Sequence, residues 1–365
     1  MKTDLTIYEI AKECGVSVST VSRVLNRSSA VSEKTRAHVM RVIDMNRFTP
    51  SGIARAMSNR TTRSVGIMLP DITNPYFSAL FLEMQRHTLE NGYSALLVNT
   101  LYGGSSHQIG SPFEEIQYFE MLKDKRVDGC VILGGQMDLD QPSESYVRAL
   151  DRLNLSLPVV AIGQPLEGCD CIFINRDLGG GVAKLIRHLE ALGNRRIAFL
   201  GGQRGIRQTT QRLKVYRDTL DALLLPQSEE LVALTDYYSD GGYAGMRALL
   251  ARGQRLDAVV AINDQVAIGA IRAITDAGRS VPRDIAVVSC DAFPGGEYQC
   301  PRLTGLNQQN EYIGKVAIRS LMSAIQGGRE PVDIRHTPEL IVRESCGAPY
   351  GPRLRPGETP PAAQP

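Results

Sequence analysis

Residues 6–26 read TIYEIAKECGVSVSTVSRVLN. Thr6 and Glu9 stand in a capping-box arrangement, in which the Thr6 hydroxyl accepts from the Glu9 N–H and the Glu9 carboxylate reaches back to the Thr6 N–H. A short helix therefore starts after Thr6, with Ile7, Ile10 and Ala11 on one apolar stripe. Gly15 gives the backbone the freedom for a tight turn after Cys14. Ser17 caps a second helix, whose Val21, Val24 and Leu25 face inward at helical spacing while Ser19, Thr20, Ser22 and Arg23 stay outside. Two short helices joined by a glycine turn predict a helix-turn-helix, and the second helix is the one whose N-terminal side chains enter a major groove. Arg23 suits a guanine edge or a phosphate, Ser19 and Ser22 suit bases or phosphates, and Val18 suits a thymine methyl. A third helix, announced by Ser32 and running to Asn46, brings Val39, Val42 and Ile43 to close a small core.

Charge points the same way. Residues 1–63 hold eleven Lys/Arg against five Asp/Glu, a balance of +6, while the rest of the chain holds 30 against 34 and carries −4. Only the N-terminal segment is suited to a polyanion. After it comes TPSGIARAMSNR, residues 49–60: Pro50 breaks the preceding helix, Ser51 can cap another, and Ile53 and Met57 make one apolar step on a segment too short to be helical alone.

Further along the 365 residues, short β-branched runs alternate with helical segments, the pattern of parallel sheets with crossover helices. The expected strands are 64–69, 94–99, 129–133, 159–162, 172–174, 197–200, 258–262 and 285–289, enough for two doubly wound sheets. No apolar run approaches the roughly 18 residues of a membrane span, and MKTDLTIYEIAKE carries acids where a signal peptide needs an unbroken apolar stretch. A cytoplasmic protein is expected. Seven scattered cysteines fit reduced thiols better than a disulfide framework, and the CxC pair Cys169/Cys171 has no second cluster with which to hold a metal.

The run TIYEIAKECGVSVSTVSRVLN, followed by VSEKTRAHV, PSGIARAM and VGIMLPDITNPYF, resembles the lactose/galactose repressor family. Similarity continues through HLEALGNRRIAFLGG, Arg212-Leu213 with Tyr216-Arg217, AINDQVAIGAIRAI, VPRDIAVVSCDAF and ELIVRES, covering residues 5–346. The resemblance implies a small all-α helix-turn-helix headpiece (1–49), a hinge helix and linker (50–62), and an α/β periplasmic-binding-protein-like core (63–346) of two doubly wound parallel-sheet subdomains. The chain would cross between subdomains three times, with subdomain N at 63–162 and 293–323 and subdomain C at 163–292 and 324–346. The Pro/Gly-rich residues 347–365 are expected to be a disordered tail. Candidate DNA contacts are Thr6, Ser17, Val18, Ser19, Thr20, Ser22, Arg23 and Asn26, joined by Ile53, Ala54 and Met57 of a hinge that folds in the minor groove, with Met57 as the apolar wedge.

Ligands of open α/β sheets bind beyond the carboxyl ends of strands. Asp71, Asn74 and Tyr76 follow the first strand, Asn263-Asp264 and Asp291 follow two later ones, and Arg212 lies on the segment after 197–200. A polyhydroxyl ligand needs planar donors and acceptors with an aromatic face, which Arg212, Asp291, Asn263 and Tyr237 offer. The family's effector contacts map onto Arg212, Asn263 and Asp291, with Tyr76 and Tyr237 at positions often aromatic there. This chain departs from the pattern at Ala292, where a second acidic residue is usual, at Ser289, where glycine is usual, and in the spacing from Asn175 to Gly181.

The expectation is a nucleoid-associated, sequence-specific DNA-binding transcriptional regulator. It would be a repressor that binds a pseudo-palindromic operator as a homodimer, tuned by a sugar or sugar derivative, with no cofactor and no membrane partner. Catalysis has no constellation to rest on, since GxSxG and HExxH are missing and His38, His87, His107, His188 and His336 are dispersed. A solute-binding protein would share the core, but predicts a signal peptide and no basic headpiece.

Overall fold

A computed structural model describes residues 6–25, 30–46, 61–101, 112–177, 179–328 and 338–350, omitting the side chains of 112–114. The chain divides into two compact units, residues 1–63 and 64–365. In the first, α1 (Ile7–Glu13), α2 (Val18–Leu25) and α3 (Glu33–Met45) close over Ile10, Ala11, Cys14, Val21, Val24, Val39, Val42 and Ile43. The capping box forms: the Glu9 N–H donates to the Thr6 hydroxyl at 3.4 Å, and the Glu9 carboxylate accepts from the Thr6 N–H at 2.6 Å. That N–H holds the Glu9 carboxyl below its ordinary pKa. Gly15 takes φ +64 at the turn, and Ser17 and Ser32 accept from the N–H groups of Thr20 and Thr35, each at 3.2 Å. Two expected core residues, Ile7 and Leu25, are only half-buried, whereas Cys14 belongs to the core.

The large unit has two lobes. The first is a parallel five-stranded sheet of order β2-β1-β3-β4-β5, made of Ser94–Asn99, Ser64–Leu69, Gly129–Leu133, Val159–Ile162 and Ile172–Ile174. Helices α4 (Pro75–Glu90), α5 (Pro112–Asp124) and α6 (Glu144–Ser156) cover it. Alternation decides the faces: Val65, Ile67 and Leu69 pack into one cluster with Leu80 and Met84, while Met68 packs into another with Phe119, Tyr146 and Leu150. The second lobe holds α7 (Gly180–Ala191) and the parallel strands β6 (Ile197–Leu200), β7 (Val232–Ala233), β8 (Ala258–Ala261) and β9 (Ala286–Ser289), in order β7-β6-β8-β9. Between them run α8 (Arg207–Ala222), α9 (Ser239–Ala251) and α10 (Asp264–Asp276). An antiparallel pair, β10 (Gly305–Asn307) with β11 (Glu339–Ile341), adjoins β9 through a bridge between Val288 and Thr304.

Pairing corrects the expected subdomain limits. Strand β5 pairs with β4, so the chain leaves the first lobe after Ile174 rather than at residue 163. Residues 303–307 belong with the second lobe, since Leu303 and Leu306 lie in its core, and α11 (Asn310–Ile325) returns to pack on the first sheet. Each reassignment turns on hydrogen bonds to a distant strand, which local periodicity does not encode. The two-residue β7 and the pair β10 and β11 were likewise too short to carry a periodic signal. Residues 347–350, expected in the disordered tail, instead carry a 3₁₀ turn at Ala348–Tyr350 that follows the buried Cys346.

Candidate functional site

In the large unit, the carboxyl ends of both sheets face one cleft. Behind β1, Asp71 accepts from the Thr73 N–H at 2.9 Å and the Thr73 hydroxyl at 2.7 Å. Asn74 caps α4 by accepting from the Tyr76 N–H at 3.0 Å, and Pro75 opens that helix. Behind β3, Gly134 and Gly135 adopt φ +70 and +71, and a Cβ on Gly135 would lie 2.7 Å from the Glu115 carboxylate. Buried Glu115 accepts from the Gln136 N–H at 2.8 Å and the Tyr146 hydroxyl at 3.1 Å. Burial still raises its pKa to about 7. The 3₁₀ turn so anchored, Gly135–Asp138, carries Asp138, whose pKa is also raised by burial although Arg176 and Arg207 oppose the shift.

From the second lobe, Asn263 caps α10, accepting from the Val266 N–H at 3.0 Å and donating to the Tyr237 carbonyl at 2.9 Å. The Tyr237 hydroxyl lies 2.7 Å from that of Thr209. Arg212 is 1% exposed; its guanidinium donates to the Ile262 carbonyl and, at 3.3 Å, to Asp291. Burial alone would lower the Arg212 pKa, but the Asp291 carboxylate together with Cys290 and Tyr237 turns the shift upward.

Asp71, Asn74, Tyr76, Tyr237, Asn263 and Asp291 line one cavity of about 90 Å³ between the lobes. Arg212 is not in that lining; it lies behind Asp291, holding the carboxylate and the turn before Asn263. Sequence reasoning missed Phe77, Asp138, Gln203, Ile206, Gln208 and Tyr238, which line the same cavity. The strand-end rule points to the loops that carry Asp138 and Gln203, but nothing local distinguishes Tyr238 from Tyr237. Arg176 was also missed: its guanidinium sits 5.1 Å from the centre of the Tyr76 ring and donates to the Tyr76 hydroxyl.

Among the described residues, Leu139 forms an antiparallel bridge with Ile206 across the cleft, and further bonds span it. The Tyr238 hydroxyl donates to Asp71 at 2.5 Å, the Thr210 hydroxyl donates to Asp140 at 2.7 Å, and the Asp140 N–H donates to the Gly205 carbonyl at 2.8 Å. A wider chamber of about 560 Å³ shares Asn74, Tyr76, Asn263 and Asp291 with the cavity and extends past Asp264 to Glu83 and Asn310. Asp264 is 4% exposed, and its Oδ2 accepts from the Phe293 N–H at 2.8 Å. Burial, with the charge of Asp291 added, raises its pKa to about 7.

On the headpiece, Ser17, Ser19 and Arg23 are exposed, Thr20 and Ser22 are half-buried, and Val18 is half-buried against the small core. The Ser17 hydroxyl lies 2.8 Å from that of Ser19 and 2.9 Å from that of Thr20. Thr6 is exposed, with its hydroxyl engaged by Glu9. Asn26, Ile53, Ala54 and Met57 lie outside the described residues. Among the described residues no group of three His, Cys, Asp or Glu could hold a metal ion, and no helix is long and apolar enough to cross a membrane.

Residues 6–51 match the model for bacterial regulatory proteins of the lacI family, and residues 186–346 match that for a periplasmic binding protein-like domain. The HTH-type transcriptional regulator DegA of Bacillus subtilis (strain 168) is 32% identical over 94% of this chain and 98% of its own. The HTH-type transcriptional repressor PurR of Glaesserella parasuis serovar 5 (strain SH0165) is 31% identical over 93% and 98%. Among solved structures, the lac repressor dimer bound to operator and the anti-inducer ONPF superposes with a TM-score of 0.80 at 23% identity, covering 94% of this chain and 99% of that one. A complex of the transcriptional regulator CelR with cellobiose superposes with a TM-score of 0.65 at 31% identity, covering 93% and 99%.

Proposed function

The chain belongs to the lacI family of bacterial regulatory proteins and is a DNA-binding transcriptional regulator; from that premise we propose that it is a cytoplasmic repressor, binding a pseudo-palindromic operator as a homodimer under the control of a small sugar-like effector. The observation that carries the reading is the cavity between the lobes, whose wall combines four aromatic rings with side-chain amides and carboxylates from both sheets. Aromatic faces stack on the C–H faces of a pyranose while amides and carboxylates take its hydroxyls. CelR, similar to this chain over most of its length, has been solved with cellobiose, and PurR is named a repressor.

An effector touching both lobes favours the closed arrangement in proportion to its affinity difference between open and closed states. Arg212 then acts by positioning Asp291, while Asp291, Asn74, Tyr76 and Tyr237 meet the ligand. In the headpiece, Arg23 reads or clamps DNA, Ser17, Ser19 and Thr20 stand near the N-terminus of α2, where phosphates are favoured, and Ser22 stands one turn further along. Val18 meets a thymine methyl, Thr6 and Asn26 flank the reader, and Ile53, Ala54 and Met57 form the hinge contact. Two such headpieces match the half-sites of a palindrome. The exposed Leu82, Leu89 and Tyr298 offer apolar surface for a partner copy.

Deleting residues 1–60 separates this reading from a solute-binding role. The truncated chain should lose operator binding in a gel-shift titration and keep its calorimetric affinity for the effector. Retention of operator binding would refute the assignment of DNA recognition to the headpiece.

A further inference from the structure

Cys169 and Cys171 stand on the loop that joins β4 to β5, and their sulfurs lie 3.2 Å apart. Neither residue lines the cavity or the wider chamber of the cleft. Local structure holds the pair in this arrangement. The loop turns just before it, where Gly168 takes φ +81 and the Cys169 N–H donates to the Leu166 carbonyl at 3.2 Å. Asp170, between the two cysteines, is fastened to α6 through both of its backbone groups: its N–H donates to Asp151 at 3.1 Å, and its carbonyl accepts from the Asn154 amide at 3.1 Å. Asn154 is fixed in turn, accepting from the Val159 N–H at 3.2 Å. The two thiols differ in access: Cys169 is half-buried, whereas Cys171 is 4% exposed and belongs to the core of the first lobe.

A disulfide needs its sulfurs about 2.05 Å apart, so this pair has only about 1 Å left to close. We propose that Cys169 and Cys171 are an oxidisable dithiol, which a peroxide closes into a reversible disulfide with Cys169 reacting first. Cys169 is the accessible sulfur, and hydrogen bonds from the Cys171 thiol and N–H lower its pKa against the effect of burial, which favours the thiolate that reacts. That thiolate attacks one peroxide oxygen, the O–O bond breaks, and hydroxide leaves, giving the sulfenic acid. The Cys171 thiol, whose pKa the hydrogen bond to Cys169 and burial push up, is released from its neighbour's charge once the neutral sulfenic acid has formed. Its sulfur displaces the sulfenic hydroxyl, which leaves with the thiol proton as water. In sum, two thiols and one hydrogen peroxide give one disulfide and two waters. The carboxylates of Asp151 and Asp170 oppose the approach of an anionic oxidant such as glutathione disulfide and leave a neutral peroxide unhindered. Closing so short a loop adds little stability, because the gain grows with loop length, so the bond serves as a mark that can be reversed rather than as a staple.

Peptide mapping of the full chain tests the proposal. The reduced protein is treated with a small excess of hydrogen peroxide, alkylated under denaturing conditions and cleaved with trypsin, which releases residues 153–176 as one peptide whose only cysteines are Cys169 and Cys171. That peptide should appear unalkylated and lighter by two hydrogens, and should take up two alkyl groups if dithiothreitol is added before alkylation. The buried Cys14, Cys130, Cys290 and Cys346 should be alkylated throughout. The disulfide should form about tenfold or more faster with hydrogen peroxide than with glutathione disulfide at the same concentration; the reverse order would overturn the choice of oxidant. Cys171→Ser should halt the reaction at the Cys169 sulfenic acid, trapped as a dimedone adduct, whereas Cys169→Ser should leave Cys171 open to alkylation. A dimedone adduct on Cys171 in that second variant would overturn the order of the two steps. Oxidation confined to the exposed Cys300, or a cross-link from residues 153–176 to residues 127–148, which carry Cys130, would overturn the pairing. The unsubstituted chain decides the pairing by itself, so a variant that fails to fold does not shield it.

Discussion

Arg212 shows how one side chain at the cleft is held by two partners of its own lobe. By motif it maps to an effector ligand, yet its guanidinium is sealed behind Asp291 and tied to the Ile262 carbonyl. Removing it would leave the Asp291 carboxylate, 8% exposed, without its cation. Breaking a buried pair from one side costs about 3–5 kcal/mol, because the remaining charge stays desolvated. Arg212→Ala should therefore lower the midpoint of thermal unfolding markedly and weaken effector binding with it. A variant that melts with the parent but no longer responds to effector would instead make Arg212 a direct ligand contact.

At the scale of elements, the close crossing of α9 on α10 sets the second lobe's share of the cleft, because Tyr237 and Tyr238 precede one helix and Asn263 precedes the other. Gly269 allows the approach: a Cβ there would stand 1.9 Å from the Ser239 carbonyl oxygen and 2.6 Å from the Tyr243 nitrogen. Both clashing atoms are backbone, so the helices must separate. Gly269→Ala should cost about 1–3 kcal/mol of stability, typical of overpacking, and should weaken effector binding by spreading the two helix N-termini. Melting followed by circular dichroism, with effector titration on the same sample, checks both. A variant indistinguishable from the parent in both measurements would mean that this crossing does not fix the cleft.

For the large unit as a whole, closure of the lobes depends on a few bonds across the cleft, in addition to the chain crossings that act as hinges. Tyr238 to Asp71 has a charged acceptor, and such bonds contribute about 1.5–3 kcal/mol. Combining Tyr238→Phe with Asp140→Ala removes this bond and the one from Thr210. The effector-free variant should populate an open form, seen as a larger radius of gyration in solution scattering and reversed by saturating effector. Unchanged scattering would show that the hinges, rather than the cross-cleft bonds, hold the lobes together.

Much of this architecture was legible in the chain. The capping box at Thr6, the glycine turn at Gly15 and the 3.6-residue spacing of Val21 and Val24 determine the headpiece, because caps and turns are local chemistry between residues a few positions apart. Buried parallel strands read as short β-branched runs for the same reason, and six of the seven effector candidates follow from the rule that such sheets bind ligands at strand ends. The tertiary structure decided the rest. It assigned β5 to the first sheet, brought β10 and β11 to the edge of the second lobe, placed Arg212 behind the wall, and opposed Tyr238 to Asp71 across 167 positions. It also fastened Asp170, between Cys169 and Cys171, to Asp151 and Asn154 of α6. Whether an acceptor is satisfied depends on what stands within about 3 Å of it, and for residues so distant in sequence only the folded chain determines that neighbour.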